Sequence, residues 1–298
     1  MLSDPTFLAI QVLNGLQLAS LLFLLSVGLS VVFGLMNFIN LAHGTLYMLG
    51  AYIGLSLVRW TGSYWIAFAL APLCVAAIGA VFHVVLLRRM QAASPMRQVL
   101  VTFGLIYVGL DSVRYFWGDY SHGFDAPDSL SGMVHLFGES YPAYRLFVIA
   151  LGLGVLQVLY LALEKTRLGA VVRAGVDDRE TASAIGLNVS GAFFLVFCLG
   201  CALAGLAGVV AAPVISIYPG MGISILISAL IVVVVGGPGS LAGAAFGALL
   251  VGMVETFGQV LTPSYASMVL YGLMALVLVV RPAGLFPARA RAVRSLQC

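Results

Sequence analysis

The sequence predicts an all-α, polytopic integral membrane protein with eight or nine transmembrane helices, some of them broken, arranged as an inverted repeat. Of its 298 residues, 62% are hydrophobic and only 8% are charged. A soluble domain carries about 25% charged residues, so this chain has too few polar residues to cover a surface in water. We therefore treat residues 1–298 as a single transmembrane domain.

Nine apolar runs follow one another along the chain, each near the roughly 20 residues that a bilayer requires. They cover residues 7–35, 41–58, 64–87, 98–117, 143–163, 191–212, 223–236, 240–258 and 266–280. The runs 41–58 and 223–236 are short or broken, which is why the count is eight or nine.

Lysine and arginine concentrate in three segments that nine crossings place on the same side of the membrane. The basic residues of these segments are Arg88, Arg89 and Arg97, then Lys165, Arg167, Arg173 and Arg179, then Arg281, Arg289, Arg291 and Arg294. The loop 118–142 instead carries four acidic residues and no lysine or arginine. Because cytoplasmic loops are enriched in Lys and Arg, the pattern predicts a cytoplasmic C-terminus.

The scarcity of charge also excludes several activities. Lys165 is the only lysine and follows Glu164, so the Gly-Lys-Ser/Thr of a phosphate-binding loop is missing. Cys198 and Cys201 form a C-x-x-C, but they lie in an apolar run with no His or further Cys beside them, which favours helix packing over redox or metal chemistry. We expect no catalytic residue, metal, cofactor or nucleic-acid partner for this chain.

The first candidate functional segment is 34–44, where Asn37, Asn40 and His43 recur at three-residue spacing between two apolar runs. On a helix they would form a polar stripe, and in a broken helix they would supply polar groups to unwound backbone or to a solute. An ordinary turn at a helix end explains the same residues. Both interpretations stay open, and we assign the three residues, together with Thr102, to a candidate translocation path.

The second candidate segment is 231–243, where a β-branched run meets Gly236, Gly237 and Gly239. The glycine spacing resembles a dinucleotide fingerprint, but the following residues form one continuous small-residue helix, so no β-α-β unit fits. A kinked or discontinuous membrane helix is the better interpretation, with Ser240 capping the next helix. The two breaks lie in opposite halves of the chain, which is typical of inverted repeats with a substrate path between them, so we assign Gly236, Gly237 and Gly239 to the same candidate translocation path.

The third candidate segment is 164–190, which holds eight charged residues in 27 positions. Asp177 or Asp178 can cap a short helix, and Gly186 ends it. A short charged helix on the inner face is what a membrane protein would offer to a cytosolic partner. The alternative is a solvated connector, but the length, small residues and helix signals favour the partner.

Several motifs give the chain a family resemblance over nearly its whole length. They are Asn14-Gly15, the run from Val27 to Tyr52 with its Asn-x-x-x-Ala-His-Gly element, Thr166–Ala174, Ala182–Val189 with Gly-Leu-Asn-Val, Ala204–Gly208, Val235–Gly243 and Arg281–Phe286. Together they make the chain resemble the permease subunits of branched-chain amino acid ABC importers, the LivH type.

The resemblance implies partners that composition alone does not reveal. Such permeases work in a bacterial inner membrane with a second homologous permease chain, two cytosolic ATPase subunits that bind ATP and Mg, and a periplasmic solute-binding protein. The segment 164–190 would carry the coupling helix that docks into an ATPase. The coupling residues would be Arg173, Asp177, Asp178, Arg179, Glu180, Ala182 and Gly186. The Glu180-x-Ala182-x-x-x-Gly186 spacing matches the family loop only in part, because Thr181 stands where that loop has alanine.

The function implied is import of branched-chain or other neutral amino acids by alternating access. Permeases for urea and short amides resemble this subfamily closely and are the first alternative. A stand-alone secondary transporter is the second, but no chain of carboxylates crosses the membrane runs, which argues against ion coupling.

Overall fold

A computed structural model describes residues 5–36, 40–90, 94–136 and 138–286, and these residues form a helical bundle with one small hairpin. The helices are α1 (Pro5–Met36), α2 (His43–Thr61), α3 (Tyr64–Phe82), α4 (Pro95–Trp117), α5 (Ala143–Lys165), α6 (Arg167–Asp177), α7 (Arg179–Ala184), α8 (Val189–Ala211), α9 (Met221–Gly236), α10 (Leu241–Leu261) and α11 (Ala266–Val280). Helix α3 continues through a π-helical turn, His83–Leu87, and a last α-helical turn, Arg88–Met90. Strands β1 (Met133–Leu136) and β2 (Glu139–Pro142) pair antiparallel, with Met133 opposite Pro142.

The predicted polytopic, all-α fold is confirmed. Among the described residues, seven helices are long and apolar enough to cross a membrane, namely α1, α3, α4, α5, α8, α10 and α11. Helix α9 is apolar but shorter, at 16 residues. Helix α2 has 19 residues and lies largely in the interior, where protein rather than lipid surrounds it. The two runs that the sequence marks as short therefore correspond to α2 and α9.

Helices α1 and α8 form the centre of the bundle. Helix α1 packs against α10, α8, α5 and α9, whereas α8 packs against α3, α2 and α1. Leu22, Leu24, Leu25 and Val27 of α1 are completely buried. Helices α4, α5 and α11 are mostly exposed, so they form the periphery that meets lipid or another chain.

Glycines allow the central helices to pack closely. Gly28 of α1 lies against Gly200 of α8, and Gly44 of α2 lies against Gly222 of α9, in each case with a backbone carbonyl where a Cβ would point. Small residues at such crossings let helix backbones approach closely where no hydrophobic drive exists within lipid. Gly79 of α3 faces the Cys201 side chain, which supports the packing role expected for that cysteine.

The helix pairing repeats itself within the chain. Helices α1, α2 and α3 correspond to α8, α9 and α10. The first helix of each set packs against the third helix of the other set, as α1 does with α10 and α8 with α3. The second helix of each set packs against the first helix of the other, as α2 does with α8 and α9 with α1. Corresponding helices also meet each other: α1 meets α8, and α2 meets α9, at the glycine contacts just described. If every apolar helix crosses the membrane, α8 is the sixth crossing and runs opposite to α1. The pairing pattern therefore supports an inverted repeat of α1–α3 and α8–α10.

This repeat does not pair the two breaks that the sequence suggested. The connection between α1 and α2 corresponds to residues 212–220, between α8 and α9, and residues 237–240 correspond to residues 62–63. The expected pairing of 34–44 with 236–243 is therefore wrong. The physical reason is that glycine, asparagine and proline mark where a helix is interrupted, whereas the pairing of helices depends on long-range packing.

Polar side chains fasten the predicted outer loops to the bundle. The backbone of His122 pairs with that of Ile217, and the His122 ring accepts a hydrogen bond from Arg59 at 3.2 Å. Near the start of α5, the Tyr141 hydroxyl and Arg145 both donate to the Asn14 side-chain oxygen, at 3.2 and 2.9 Å. Burial raises the pKa of Tyr141, so this phenol stays protonated as a donor.

Candidate functional site

Residues 40–42, the described part of the connection between α1 and α2, form a turn that leads into α2, and Asn40 and His43 at its two ends are buried polar residues. The Asn40 side-chain oxygen accepts a hydrogen bond from the Ala42 N–H at 3.1 Å, and the Asn40 carbonyl accepts one from the His43 N–H at 3.2 Å. The His43 ring is buried, and its Nε2 donates to the Leu25 carbonyl at 3.1 Å. Asn40 thus holds the turn, and His43 anchors the start of α2 to the middle of α1. Asn37 lies outside the described residues.

The second break, between α9 and α10, also rests on α1. Gly237 and Gly239 have positive φ angles of 102° and 78°, a region that favours glycine because it has no Cβ. The Gly239 N–H lies 3.1 Å from both the carbonyl and the hydroxyl oxygen of Ser30. Gly236 faces the carbonyl of Gly243, and the Ser240 hydroxyl accepts from the Gly243 N–H at 3.0 Å, the cap that the sequence predicts.

The chain after α11 folds back onto this break. The N–H groups of Leu285 and Phe286 donate to the carbonyls of Val235 and Gly236, each at 2.9 Å. The Phe286 ring stacks on Phe246 of α10, with the ring centroids 4.8 Å apart. Two of the last carbonyls of α9, which have no partner within their own helix, are thereby satisfied.

The structure thus brings two of the predicted path segments onto one helix, α1. The first reaches it through Leu25 and the second through Ser30. Thr102 lies elsewhere, on the buried face of α4, where its hydroxyl donates to the carbonyls of Gln98 and Val99. The path assignment of all these residues remains a prediction.

An exposed stripe on α4 was not found from the sequence. Its polar members within the span are Tyr107 and Asp111, followed by Arg114, whose guanidinium lies 3.7 Å from the Asp111 carboxylate. The apolar members of the stripe are Met96, Leu100, Phe103, Val108 and Tyr115. Of the seven candidate spans, α4 is the least apolar. That low apolarity, with polar residues at three- and four-residue spacing, is the signal that could have revealed the stripe.

The predicted coupling segment 164–190 folds as two short helices joined at a cap. Helix α6 packs its Val172 on Ala192 and Val196 of α8. Arg173 of α6 donates to the Leu163 carbonyl at the end of α5 and lies 3.6 Å from the Glu164 carboxylate. Arg173 therefore links α6 to the end of α5.

Asp178 is the cap of α7. Its Oδ1 accepts from the N–H groups of Glu180 and Thr181, both at 3.0 Å, and its Oδ2 accepts from the Thr181 hydroxyl at 2.6 Å. Gly186, at a φ of 89°, ends the helix as predicted. Asn188 then caps α8, because its side-chain oxygen accepts from the Gly191 N–H at 2.9 Å.

The two faces of α7 differ sharply. Ala182 is buried against Val189 and Phe193 of α8, so it holds α7 in place from within the chain. Glu180 is exposed, as are Asp177 before the helix and Ile185 directly after it, and Ile185 is 72% exposed although it is large and apolar. Arg179 lies between the two faces, with its guanidinium 5.6 Å from the Phe193 ring centroid and 3.4 Å from the Ser190 hydroxyl.

These features define a class of protein: a polytopic membrane permease. A bundle of apolar helices with broken central elements is typical of proteins that carry solutes across membranes.

Comparison with known proteins gives the family. The family model described as "Branched-chain amino acid transport system / permease component" matches residues 11–278, so the chain belongs to this family. It is 30% identical over 294 residues to the high-affinity branched-chain amino acid transport system permease protein BraD of Pseudomonas aeruginosa, covering 92% of this chain and 94% of that protein. It is 26% identical over 291 residues to LivH of Escherichia coli K12, covering 92% and 94%.

A further relative is named for a different solute. The ribose import permease protein RbsC of Escherichia coli K12 is 28% identical over 291 residues, covering 93% of this chain and 87% of that protein. The family match and the relatives BraD and LivH confirm the resemblance to branched-chain permeases, and the chain is a permease component of ABC-type transport.

Proposed function

We propose that this chain is one of two permease chains of an ATP-driven importer for branched-chain or other neutral, apolar amino acids. The match of the branched-chain family to residues 11–278, together with the relatives BraD and LivH, carries the proposal. Two cytosolic ATPase subunits would supply the energy, and a periplasmic solute-binding protein would deliver the solute to the outer face in a bacterial inner membrane.

The exposed face of α7 is the proposed contact with an ATPase subunit. Glu180 offers a charge, and Ile185, directly after the helix, offers an exposed apolar side chain. Interfaces commonly place an apolar anchor inside a polar rim. Asp178 and Gly186 fix the two ends of the helix, and Arg173 passes its displacement to α5.

The exposed stripe of α4 is the proposed lining of the translocation path. Exposure of Tyr107 and Asp111 to lipid would be unfavourable, because polar groups are costly in hydrocarbon. A face against a second permease chain and a water-filled path would accommodate them. In alternating access, closure of the ATPase dimer would tilt the bundle around the fixed crossings at Gly28 and Gly44.

The test is ATP-driven uptake in proteoliposomes that hold this chain with its partner subunits. The variant pair E180Q and I185S should reduce uptake by about 10-fold or more while ATP hydrolysis continues, since interface anchors are worth about 1–4 kcal/mol. R88Q, which also removes one exposed charge but lies at the end of α3, is the control and should leave uptake unchanged. Unchanged uptake in both α7 variants would contradict the placement of the contact.

The solute class is tested on the partner binding protein. We expect it to bind leucine, isoleucine or valine in preference to urea and short amides. Preferential binding of urea or an amide would overturn the solute assignment while leaving the ATP-driven mechanism intact.

A further inference from the structure

One antiparallel pair of residues ties the loop after α4 to the connection between α8 and α9. The N–H of His122 donates to the Ile217 carbonyl at 2.8 Å, and the N–H of Ile217 donates to the His122 carbonyl at 3.1 Å. Both residues are buried. The predicted topology places both connections on the outer side of the membrane, so the pair closes the bundle at its outer end.

The His122 ring adds two hydrogen bonds to this closure. Arg59, near the end of α2, donates to Nδ1 at 3.2 Å, so Nε2 carries the proton and donates to the Trp117 carbonyl at 3.1 Å. We call the pair of His122 and Ile217, with the bond from Arg59, the outer latch. Such hydrogen bonds exchange for bonds to water at a modest cost in free energy, so the latch can open while the helices stay folded.

Tyr52 of α2 lies behind the outer latch. Its ring meets the His122 ring edge to face, with the centroids 5.9 Å apart, and packs on Trp117 with the centroids 5.4 Å apart. The residue is completely buried, and its hydroxyl oxygen has no hydrogen-bond partner among the residues that the structure describes. A buried hydroxyl without a partner is unfavourable, so its presence points to a role outside the packing of this closed arrangement.

The latch closes a gap between two helices that both rest on α2. Thr45 of α2 meets Gly109 of α4, and Gly44 meets Gly222 of α9. Tyr52 lies two helical turns further along α2, towards the outer end. An opened latch would therefore expose the outer half of α2, with the Tyr52 hydroxyl, between α4 and α9.

We propose that the outer latch is a gate through which solute reaches α2, and that the Tyr52 hydroxyl donates a hydrogen bond to the carboxylate of the solute once the gate is open. An uncharged donor binds a carboxylate less tightly than a cation does, which suits a solute that must move on. The inference rests on the proposed function for the class of solute and for the outer position of the loop.

The gate is tested on the chain alone, in liposomes, in a background without the native cysteines. A membrane-impermeant thiol reagent should modify Y52C slowly, because position 52 is sealed while the latch is closed. Adding R59Q removes the charged donor to His122 and should raise the rate by about 10-fold, since hydrogen bonds from charged groups are the stronger ones. R145Q, which removes a cation bonded to Asn14 at the same end of the bundle, is the matched control. Equal rates with R59Q and R145Q would overturn the gate.

A disulfide across the latch tests the gate in the complete transporter. Two residues that exchange both backbone hydrogen bonds lie about 5.5 Å apart at Cα, which a disulfide can bridge. Oxidation of H122C/I217C should abolish ATP-driven uptake, and a reductant should restore it. H135C/S140C, an opposed pair within the β1–β2 hairpin, should transport equally in both states. Normal uptake by oxidised H122C/I217C would overturn the gate. A wild-type transporter without ATP-driven uptake would contradict the proposed function instead, and the labelling result would stand.

The role of the Tyr52 hydroxyl is tested by Y52F, with Y64F as the matched control. The Tyr64 hydroxyl is also buried, but it is bonded to the Tyr144 hydroxyl at 2.8 Å. Y52F should slow uptake by about 10-fold, because the carboxylate loses a donor, without lowering the midpoint of thermal unfolding. Y64F should lower that midpoint and leave the uptake rate of the folded protein unchanged. Normal uptake by Y52F would overturn the contact between Tyr52 and the solute.

Discussion

At the scale of single residues, close helix packing depends on glycines whose missing Cβ leaves room for the neighbouring backbone. Gly44 and Gly222 meet so closely that each occupies the space of the other's Cβ, and Gly28 and Gly200 do the same. The sequence displays these glycines among 34 in total, and nothing in it separates those at helix crossings from those on open surfaces. Gly104, for example, has no neighbouring atom near its Cβ position.

This contrast gives a stability prediction. G44A should lower the free energy of unfolding by about 1–3 kcal/mol, because the new methyl group meets the Gly222 carbonyl. G104A should be neutral or stabilising, since alanine is the better helix former and has space. Thermal unfolding of both variants in detergent measures the difference, and equal midpoints would contradict the glycine crossing.

Asp178 allows a second prediction at this scale. D178A removes the cap of α7 and should destabilise that helix by about 1 kcal/mol, which is about a fivefold rise in amide exchange over Arg179–Ala184. D177A, at the neighbouring exposed acidic residue, removes the same charge but no α7 cap. If both variants exchange alike, charge rather than capping stabilises the segment.

At the scale of elements, the sequence predicts where helices begin and end better than it predicts which of their faces are buried. The helices begin and end close to the predicted runs because apolar length sets a span, and Asp178, Gly186 and Ser240 cap or end helices through local hydrogen bonds and backbone geometry. The exposed stripe on α4 could not be predicted, because the sequence does not say which side of the helix is covered by neighbouring helices. The pairing of the repeat escaped it for the same reason.

The α4 stripe is tested by cysteine accessibility in a background without the native cysteines. Y107C and D111C should react with a membrane-impermeant thiol reagent in the assembled transporter, because we place them in a water-filled path. L153C, an equally exposed position on the apolar face of α5, should react at least 10-fold more slowly, because lipid excludes the reagent. Equal rates at all three positions would remove the stripe from the path.

At the scale of the whole molecule, the arrangement separates the bundle from its source of energy. In the proposed function, the helices form the translocation path, and the capped segment beyond α5, residues 164–190, is the handle by which an ATPase subunit moves them. The positive-inside pattern predicts that this handle is cytoplasmic, but its third basic segment includes Arg289, Arg291 and Arg294, which lie outside the described residues.

The single lysine gives a direct test of this orientation. A membrane-impermeant amine reagent should label Lys165 in inside-out vesicles and not in right-side-out ones, because we place residues 164–190 in the cytoplasm. K165R removes the only side-chain amine and serves as the control for labelling elsewhere. Labelling of Lys165 from the outer side would reverse the topology and remove α7 from reach of an ATPase.

The central claim is that this permease depends on separate ATPase subunits for directed transport. The most direct measurement is amino acid uptake into proteoliposomes that contain this chain alone, the chain with its partners, or the chain with partners but without ATP. The account predicts accumulation only when the partners and ATP are both present. Sustained accumulation by the chain alone, at a rate that ATP does not change, would contradict it.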